Sequence, residues 1–120
     1  CMKACPTNAI STDRFQLYAD RCLTFCNEST RDFPDWLRPA WHNSLVGCMI
    51  CQKVCPANKA VVKWIEPGET FNANETELIL NGTSNELLPR PTVEKLKRQD
   101  LTEYYDVLGR NLKALITGSN

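Results

Sequence analysis

The chain has 120 residues and a mass of 13.6 kDa, which is enough for one ordinary domain and excludes a large multidomain enzyme. Fourteen basic residues balance fourteen acidic ones, so net charge gives no reason to expect a polyanionic partner such as nucleic acid or an anionic membrane. Hydrophobic residues make up 42% of the chain, which allows a modest core, but no apolar run is long enough to cross a bilayer. We expect a cytoplasmic protein without a membrane segment.

In the N-terminal part the predicted elements are short. Asn8 tolerates a left-handed conformation in a tight loop, and the alternating pattern of residues 10–22 predicts a short hairpin. Prolines predict a helical turn confined to residues 34–39. A short helix is predicted over residues 44–54. Gly47 would allow the backbone to approach closely to the group that the nearby cysteines bind.

The C-terminal part is more clearly helical. Asn72 and Glu75 have the spacing of a capping box, which predicts a helix over residues 73–80 that ends at Asn81 and Gly82.

Two further helix starts are predicted in the tail. Thr92 is a candidate N-cap, and Asp100 with Glu103 has the spacing of a second capping box. An apolar stripe then continues to a helix end near Gly118; it consists of Leu101, Tyr104, Tyr105, Leu108, Leu112, Leu115 and Ile116. The predicted fold class is an α-rich α+β domain with C-terminal packed helices.

Cysteine is the outlier in the composition. All seven cysteines lie between Cys1 and Cys55. This asymmetry predicts a cysteine-bearing region at residues 1–60, which needs more than apolar burial to hold it, and a helical extension at residues 61–120 that packs on it. The chain begins on a cysteine inside a motif, which predicts that it is part of a longer protein.

The element C-x3-C-P occurs twice in these cysteines. It appears as Cys1-x3-Cys5-Pro6 and within Cys48-x2-Cys51-x3-Cys55-Pro56, with Cys22 and Cys26 between them. In two-cluster ferredoxins the run C-x2-C-x2-C-x3-C-P gives three thiolates to one cubane cluster, and its last cysteine crosses to the other cluster. The spacing therefore predicts ferredoxin-like loops that bind [4Fe-4S] clusters.

Crossing of the proline-linked cysteines gives two ligand sets. One cluster would take Cys5, Cys22, Cys48 and Cys51, and the second would take Cys1 and Cys55 together with two thiolates from upstream of this chain. Cys26 is then left over, as a partly buried free thiol.

Three other uses of the cysteines compete with iron-sulfur binding: disulfides, structural zinc and inert buried thiols. The odd count argues against disulfides, and only Cys48-x2-Cys51 has the spacing of a zinc knuckle. His42 has no place in the complete ligand set and is expected to be a surface or hydrogen-bonded histidine.

Three stretches together resemble the double-cluster domain of the epoxyqueuosine reductase family: CMKACPTNAI at residues 1–10, DRCLT at 20–24 and GCMICQKVCPANK at 47–59. Reductive dehalogenases carry a looser version. The resemblance implies the crossed ligand sets, two clusters in the full-length protein, and electron transfer to a cobalamin bound in a catalytic domain that this chain lacks. Asn8 stands where the family often has Gly, and the segment between Cys26 and Gly47 differs, which favours a relative over a true queuosine enzyme.

The predicted function is therefore an electron-transfer module that relays electrons to a cobalamin-dependent reductase domain, with no catalytic residue of its own. The resemblance implies that the chain is part of an oxidoreductase similar to epoxyqueuosine reductase. The alternative is a zinc-stabilised interaction module. The expected partner is a redox domain or protein; a tRNA contact through Lys95, Lys97 and Arg98 competes with a solvated helix face. Phe25, Trp36 and Trp41 are expected to pack around the cluster loops.

Overall fold

The computed structural model describes residues 1–119, in which five α-helices are joined by loops and single 3-10 turns. The helices are α1 (Leu23–Glu28), α2 (Ile50–Lys53), α3 (Ala73–Leu80), α4 (Arg90–Arg98) and α5 (Tyr105–Ser119). The short helices α1 and α2 lie in the cysteine half, residues 1–60. The three longer helices lie in the helical half, described over residues 61–119. No helix in the described residues has both the length and the apolar character needed to span a membrane.

The predicted hairpin in the cysteine half is reduced to one antiparallel bridge, between Ile10 and Leu17. Backbone hydrogen bonds close it, from Ser11 N to Gln16 O at 2.9 Å and from Tyr18 N to Ala9 O at 2.7 Å. The helix predicted over residues 44–54 is also shorter, since only α2 is helical there. The left-handed conformation predicted for Asn8 is confirmed, with φ at 52°.

Helix α3 begins at the predicted capping box. The Glu75 N–H donates to Asn72 Oδ1 at 2.9 Å, and the Asn72 N–H donates to Glu75 Oε2 at 2.8 Å. The helix ends at Leu80, as predicted. Both the start and the stop are therefore encoded in a few neighbouring residues.

The prediction that Thr92 caps a helix is wrong. Helix α4 starts at Arg90 after Pro89, whose extended ψ of 140° ends the preceding loop. Thr92 thus lies inside the first turn and is fully buried, and its hydroxyl donates to Glu75 Oε1 at 3.0 Å. Tertiary contact with α3 outweighs the local capping preference of threonine here.

The predicted capping box at Asp100 and Glu103 is also wrong. Asp100 adopts a left-handed conformation with φ at 53°, and the Leu101 N–H reaches back to Leu96 O at 2.9 Å. Asp100 therefore ends α4. A 3-10 turn at Thr102–Tyr104 follows, and α5 begins only at Tyr105, although it does run past Gly118 as the apolar stripe predicted.

Two apolar cores form, one for each half. The larger core consists of Ile79, Leu88, Leu96 and Leu108, and Leu45 and Val46 from the cysteine half pack against it. The smaller core consists of Leu23, Cys26 and Leu37. Helix α5 joins the two halves by packing on both α3 and the Pro39–Trp41 turn. A Cβ on Gly118 would stand 2.3 Å from Pro39 O, so only glycine permits this approach.

Candidate iron-sulfur site

Four of the six predicted ligands line one cavity of about 120 Å³. We call it the thiol cavity, and its cysteines are Cys5, Cys22, Cys48 and Cys51. These are the four residues that the sequence analysis assigned to a complete cluster. Cys1 and Cys55 lie outside the thiol cavity; Cys1 is exposed in a neighbouring groove, and Cys55 is half-buried.

The rest of the cavity wall is almost wholly apolar. Ala9 and Leu23, at 1% and 2% exposure, come from the Cys5 loop and α1. The wall is completed by Pro6, Thr7, Ile10, Leu17 and Ile50. The four half-buried cysteines converge from three separate stretches of chain onto a wall that offers little polar surface. Such surroundings suit a cluster whose charge is held on thiolates and whose potential depends on solvent access.

Four cysteine sulfurs on one cavity are the donor set that a [4Fe-4S] cluster takes. The donor set and the apolar lining therefore fit a cluster. In residues 1–119 no group of three or more His, Cys, Asp or Glu side chains is close enough to hold a single metal ion.

The loop around Cys5 directs hydrogen-bond donors at its sulfur. The left-handed turn at Asn8 brings the Ala9 N–H to 3.4 Å from Cys5 Sγ, and the Thr7 hydroxyl lies at 3.5 Å. Burial by itself raises the pKa of the Cys5 thiol, but the Thr7 hydroxyl and the nearby backbone amides outweigh it and lower that pKa. The loop thus favours the thiolate, which is the form that ligates metal.

Cys22 and Cys51 are placed by the two short helices. Cys22 is the N-cap residue of α1, directly after a 3-10 turn, and Cys51 lies in α2. The Gln52 side-chain amide is 3.9 Å from Cys51 Sγ, a long contact.

A loop held by buried asparagines presents Cys48. Gly47 has φ at 81°, a conformation that favours glycine, and a Cβ there would meet nothing within 4 Å. The backbone angle by itself accounts for a glycine here, and the close approach to a bound group stays a prediction. Asn27, fully buried in α1, clamps Gly47: its Nδ2 donates to Gly47 O at 2.7 Å, and the Gly47 N–H donates to Asn27 Oδ1 at 2.9 Å.

Helix α5 reinforces this clamp from the other half of the molecule. Asn111, also fully buried, donates through Nδ2 to Asn27 O at 2.8 Å and to Leu45 O at 2.9 Å. Arg110 donates to Asn27 O at 3.0 Å and to Asn111 Oδ1. Neither Asn111 nor Arg110 was predicted from the sequence, although an asparagine within the apolar stripe of α5 was a detectable signal.

A further residue that the sequence did not indicate contacts a predicted ligand directly. Asn43 Nδ2 lies 3.3 Å from Cys48 Sγ. Asn43 is exposed and belongs to no cysteine motif, so its spacing from Cys48 gives no signal without the tertiary structure.

Cys26 does not line the thiol cavity. It is 7% exposed in the small core beside Leu23 and Leu37, so it is more buried than the sequence suggested. Burial, and then the neighbouring Cys22, raise the pKa of this thiol. Burial therefore disfavours the thiolate form of Cys26.

The prediction of a surface or hydrogen-bonded His42 is wrong. His42 is buried, its ring centroid lies 4.8 Å from that of Phe33, and among the described residues its Nδ1 has no hydrogen-bond partner. Burial, and secondarily Arg110, lower the pKa of His42. Trp41 packs on the small core, whereas Phe25 and Trp36 stay largely exposed.

Two of the three basic side chains considered for a tRNA contact, Lys95 and Arg98, are engaged within the chain. Lys95 Nζ contacts Glu75 Oε2 at 2.7 Å and donates to Thr70 O at 2.8 Å, and Arg98 forms an ion pair with Glu69. These contacts favour the solvated-face interpretation of this cluster over a phosphate site.

Comparison with known proteins identifies the same region. Residues 1–58 match the family model described as a 4Fe-4S double cluster binding domain. The chain is similar to epoxyqueuosine reductases: it is 44% identical to that of Bacillus subtilis over 59 residues, 45% identical to that of Synechococcus sp. over 60, and 35% identical to that of Lactococcus garvieae over 89. These alignments cover 49%, 48% and 74% of this chain, but only 15%, 18% and 23% of the relatives. No solved structure matches the chain.

Proposed function

We propose that this chain, whose residues 1–58 are a 4Fe-4S double cluster binding domain of the kind found in epoxyqueuosine reductases, is an electron-transfer module. It relays electrons to a cobalamin-dependent reductase domain carried elsewhere in the protein or by a partner. Because the chain spans less than a quarter of the three reductases compared above, substrate binding and chemistry belong to that other domain. This chain supplies no catalytic residue.

The single observation that carries the proposal is the thiol cavity. Cys5, Cys22, Cys48 and Cys51 line it together, and in the proposal they hold one [4Fe-4S] cluster. Cys1 and Cys55 contribute to a second cluster, which takes its other two thiolates from outside the present chain. Cys26 takes no part, and its burial in the small core supports that exclusion.

A bound [4Fe-4S] cluster supplies one-electron chemistry at a potential set by hydrogen bonds and solvent access. Residues of this chain provide both the hydrogen bonds and the limits on solvent access. Leu23 and Ala9 line the thiol cavity with buried apolar groups, while the Ala9 N–H donates to Cys5 Sγ. Asn27 and Gly47 fix the loop from which Cys48 approaches.

The test is the iron and acid-labile sulfide content of the anaerobically prepared chain, with EPR spectra before and after dithionite. We expect about four irons and four sulfides per chain, and about eight of each in a longer form that supplies two thiolates before Cys1. Cys48→Ser should lose the cluster of this chain, whereas the matched control Cys26→Ser should retain it. Zinc without sulfide in both forms would overturn the proposal and support a zinc-stabilised interaction module.

A further inference from the structure

We propose that Asn43 is a positioning residue that directs an N–H donor at the Cys48 sulfur and thereby raises the reduction potential of the cluster in the thiol cavity. The inference rests on the proposed function, because it requires that Cys48 ligate a cluster. It concerns an exposed side chain outside every cysteine motif, five residues before its target.

The orientation of the amide follows from its two contacts. Asn43 Nδ2 lies 3.3 Å from Cys48 Sγ and 3.2 Å from Trp41 O. A carbonyl oxygen and a thiolate are both acceptors, so only the NH₂ group fits between them. A flipped amide would turn its own oxygen toward two acceptors, and both hydrogen bonds would be lost.

The loop that carries this donor is held at several points. The Ser44 hydroxyl donates to Gly47 O at 2.7 Å, Asn27 clamps Gly47 on both backbone groups, and Asn111 donates to Leu45 O at 2.9 Å. The backbone between Asn43 and Cys48 is therefore held by residues from α1 and α5. A donor held in place before the electron arrives stabilises the new charge without reorganisation.

The sign of the effect follows from charge. A reduced cluster is more negative than an oxidised one, so an N–H donor at a ligand sulfur stabilises the reduced form and raises the potential. Of the two side-chain amides that contact these sulfurs in residues 1–119, Asn43 is the nearer, at 3.3 Å against 3.9 Å for Gln52. Asn43 should therefore have the larger influence.

The experiment is an EPR-monitored redox titration of the loaded chain with Asn43→Leu, Asn43→Asp and the matched control Gln52→Leu. Asn43→Leu removes the donor at similar size, and its potential should fall. Asn43→Asp removes the donor and adds a negative charge, so its potential should fall further. Gln52→Leu should shift the potential less than Asn43→Leu does. Iron and sulfide content is measured on every sample.

The outcomes separate this inference from the proposed function. Absence of iron and sulfide from the parent chain would overturn both the proposed function and the Asn43 inference. If the parent chain binds a cluster and Asn43→Leu has the same reduction potential as the parent, the Asn43 inference fails but the proposed function stands. Loss of the cluster from both Asn43 variants, but not from Gln52→Leu, would show a role in assembly and would also overturn tuning of the potential.

Discussion

The two halves of this chain are stabilised in different ways. The helical half has helices of 8, 9 and 15 residues and the larger apolar core, which contains the fully buried Leu96. The cysteine half has helices of only 6 and 4 residues and a small core around Leu23. Four of its seven cysteines face a cavity instead of packing with one another. Half of the molecule is thus built by apolar burial, and the other half around a binding site.

Buried amides connect the two halves. Asn27 in α1 and Asn111 in α5 are both fully buried and bonded to each other, and through them the helical half reaches the loop of Cys48. The family match ends at residue 58, so α5 lies outside the matched region although it contributes to the support of that region's loop. The difference teaches that a cofactor-binding half with little core can obtain rigidity from a neighbour that folds by packing.

The largest effect should come from removing the cluster. Anaerobic removal of the cluster by a chelator should speed amide exchange in the cysteine half by about 100-fold. This factor corresponds to about 3 kcal/mol of opening free energy, because the free energy of cluster binding is also free energy of folding. Exchange in α3 to α5 should change little. Hydrogen exchange measured by mass spectrometry checks this, and equal acceleration in both halves would break the comparison.

The next largest effect should come from truncating a side chain in the larger core. Leu96→Ala should lower the free energy of unfolding by about 3 kcal/mol, because it removes a fully buried side chain and leaves a cavity. The control Leu87→Ala, at a side chain that is 76% exposed, should stay within about 0.5 kcal/mol of the parent. Urea unfolding followed by circular dichroism measures both, and a similar loss in the two variants would contradict the assignment of the core.

The buried junction should contribute less. Asn111→Leu keeps the volume but removes the donor to Asn27 O and Leu45 O, so the free energy of unfolding should fall by about 2 kcal/mol. The exposed Lys113→Leu on the same helix is the control, and urea unfolding gives the comparison. An Asn111→Leu chain as stable as its parent would show that the halves are joined by apolar contacts alone.

The smallest effect should be a pH dependence within the helical half. The hydrogen bond from Lys95, then the Asn72 N–H and Thr92, lower the pKa of Glu75 against the opposing effect of burial. A carboxyl with a lowered pKa stabilises the fold above its ordinary pKa of about 4.3, and this contribution is lost as pH falls through the lowered value.

Glu75→Gln should therefore have a lower Tm than the parent at pH 7, and the difference should shrink on acidification. The exposed Glu77→Gln in the same helix is the matched control. Thermal unfolding monitored from about pH 7 to about pH 3 tests this. A Tm difference that stays constant over that range would show that Glu75 acts through packing and not through its charge.

The sequence by itself determined the features that depend on a few neighbouring residues. The C-x3-C-P spacing predicted an iron-sulfur domain, and residues 1–58 match the model of a 4Fe-4S double cluster binding domain. Asn72 and Glu75 determined where α3 begins, because both partners of a capping box lie within one turn.

Tertiary structure decided the conformation of residues whose local signals compete, and the pairing of residues that are distant in the chain. Thr92 and Asp100 are both residue types that favour the N-cap position. Thr92 instead lies inside α4, where it contacts Glu75, and Asp100 adopts the left-handed conformation that ends α4. Asn27 and Asn111 are 84 positions apart, so no spacing rule joins them. A buried polar group must find a partner wherever the fold supplies one, and that partner is known only once the helices are packed.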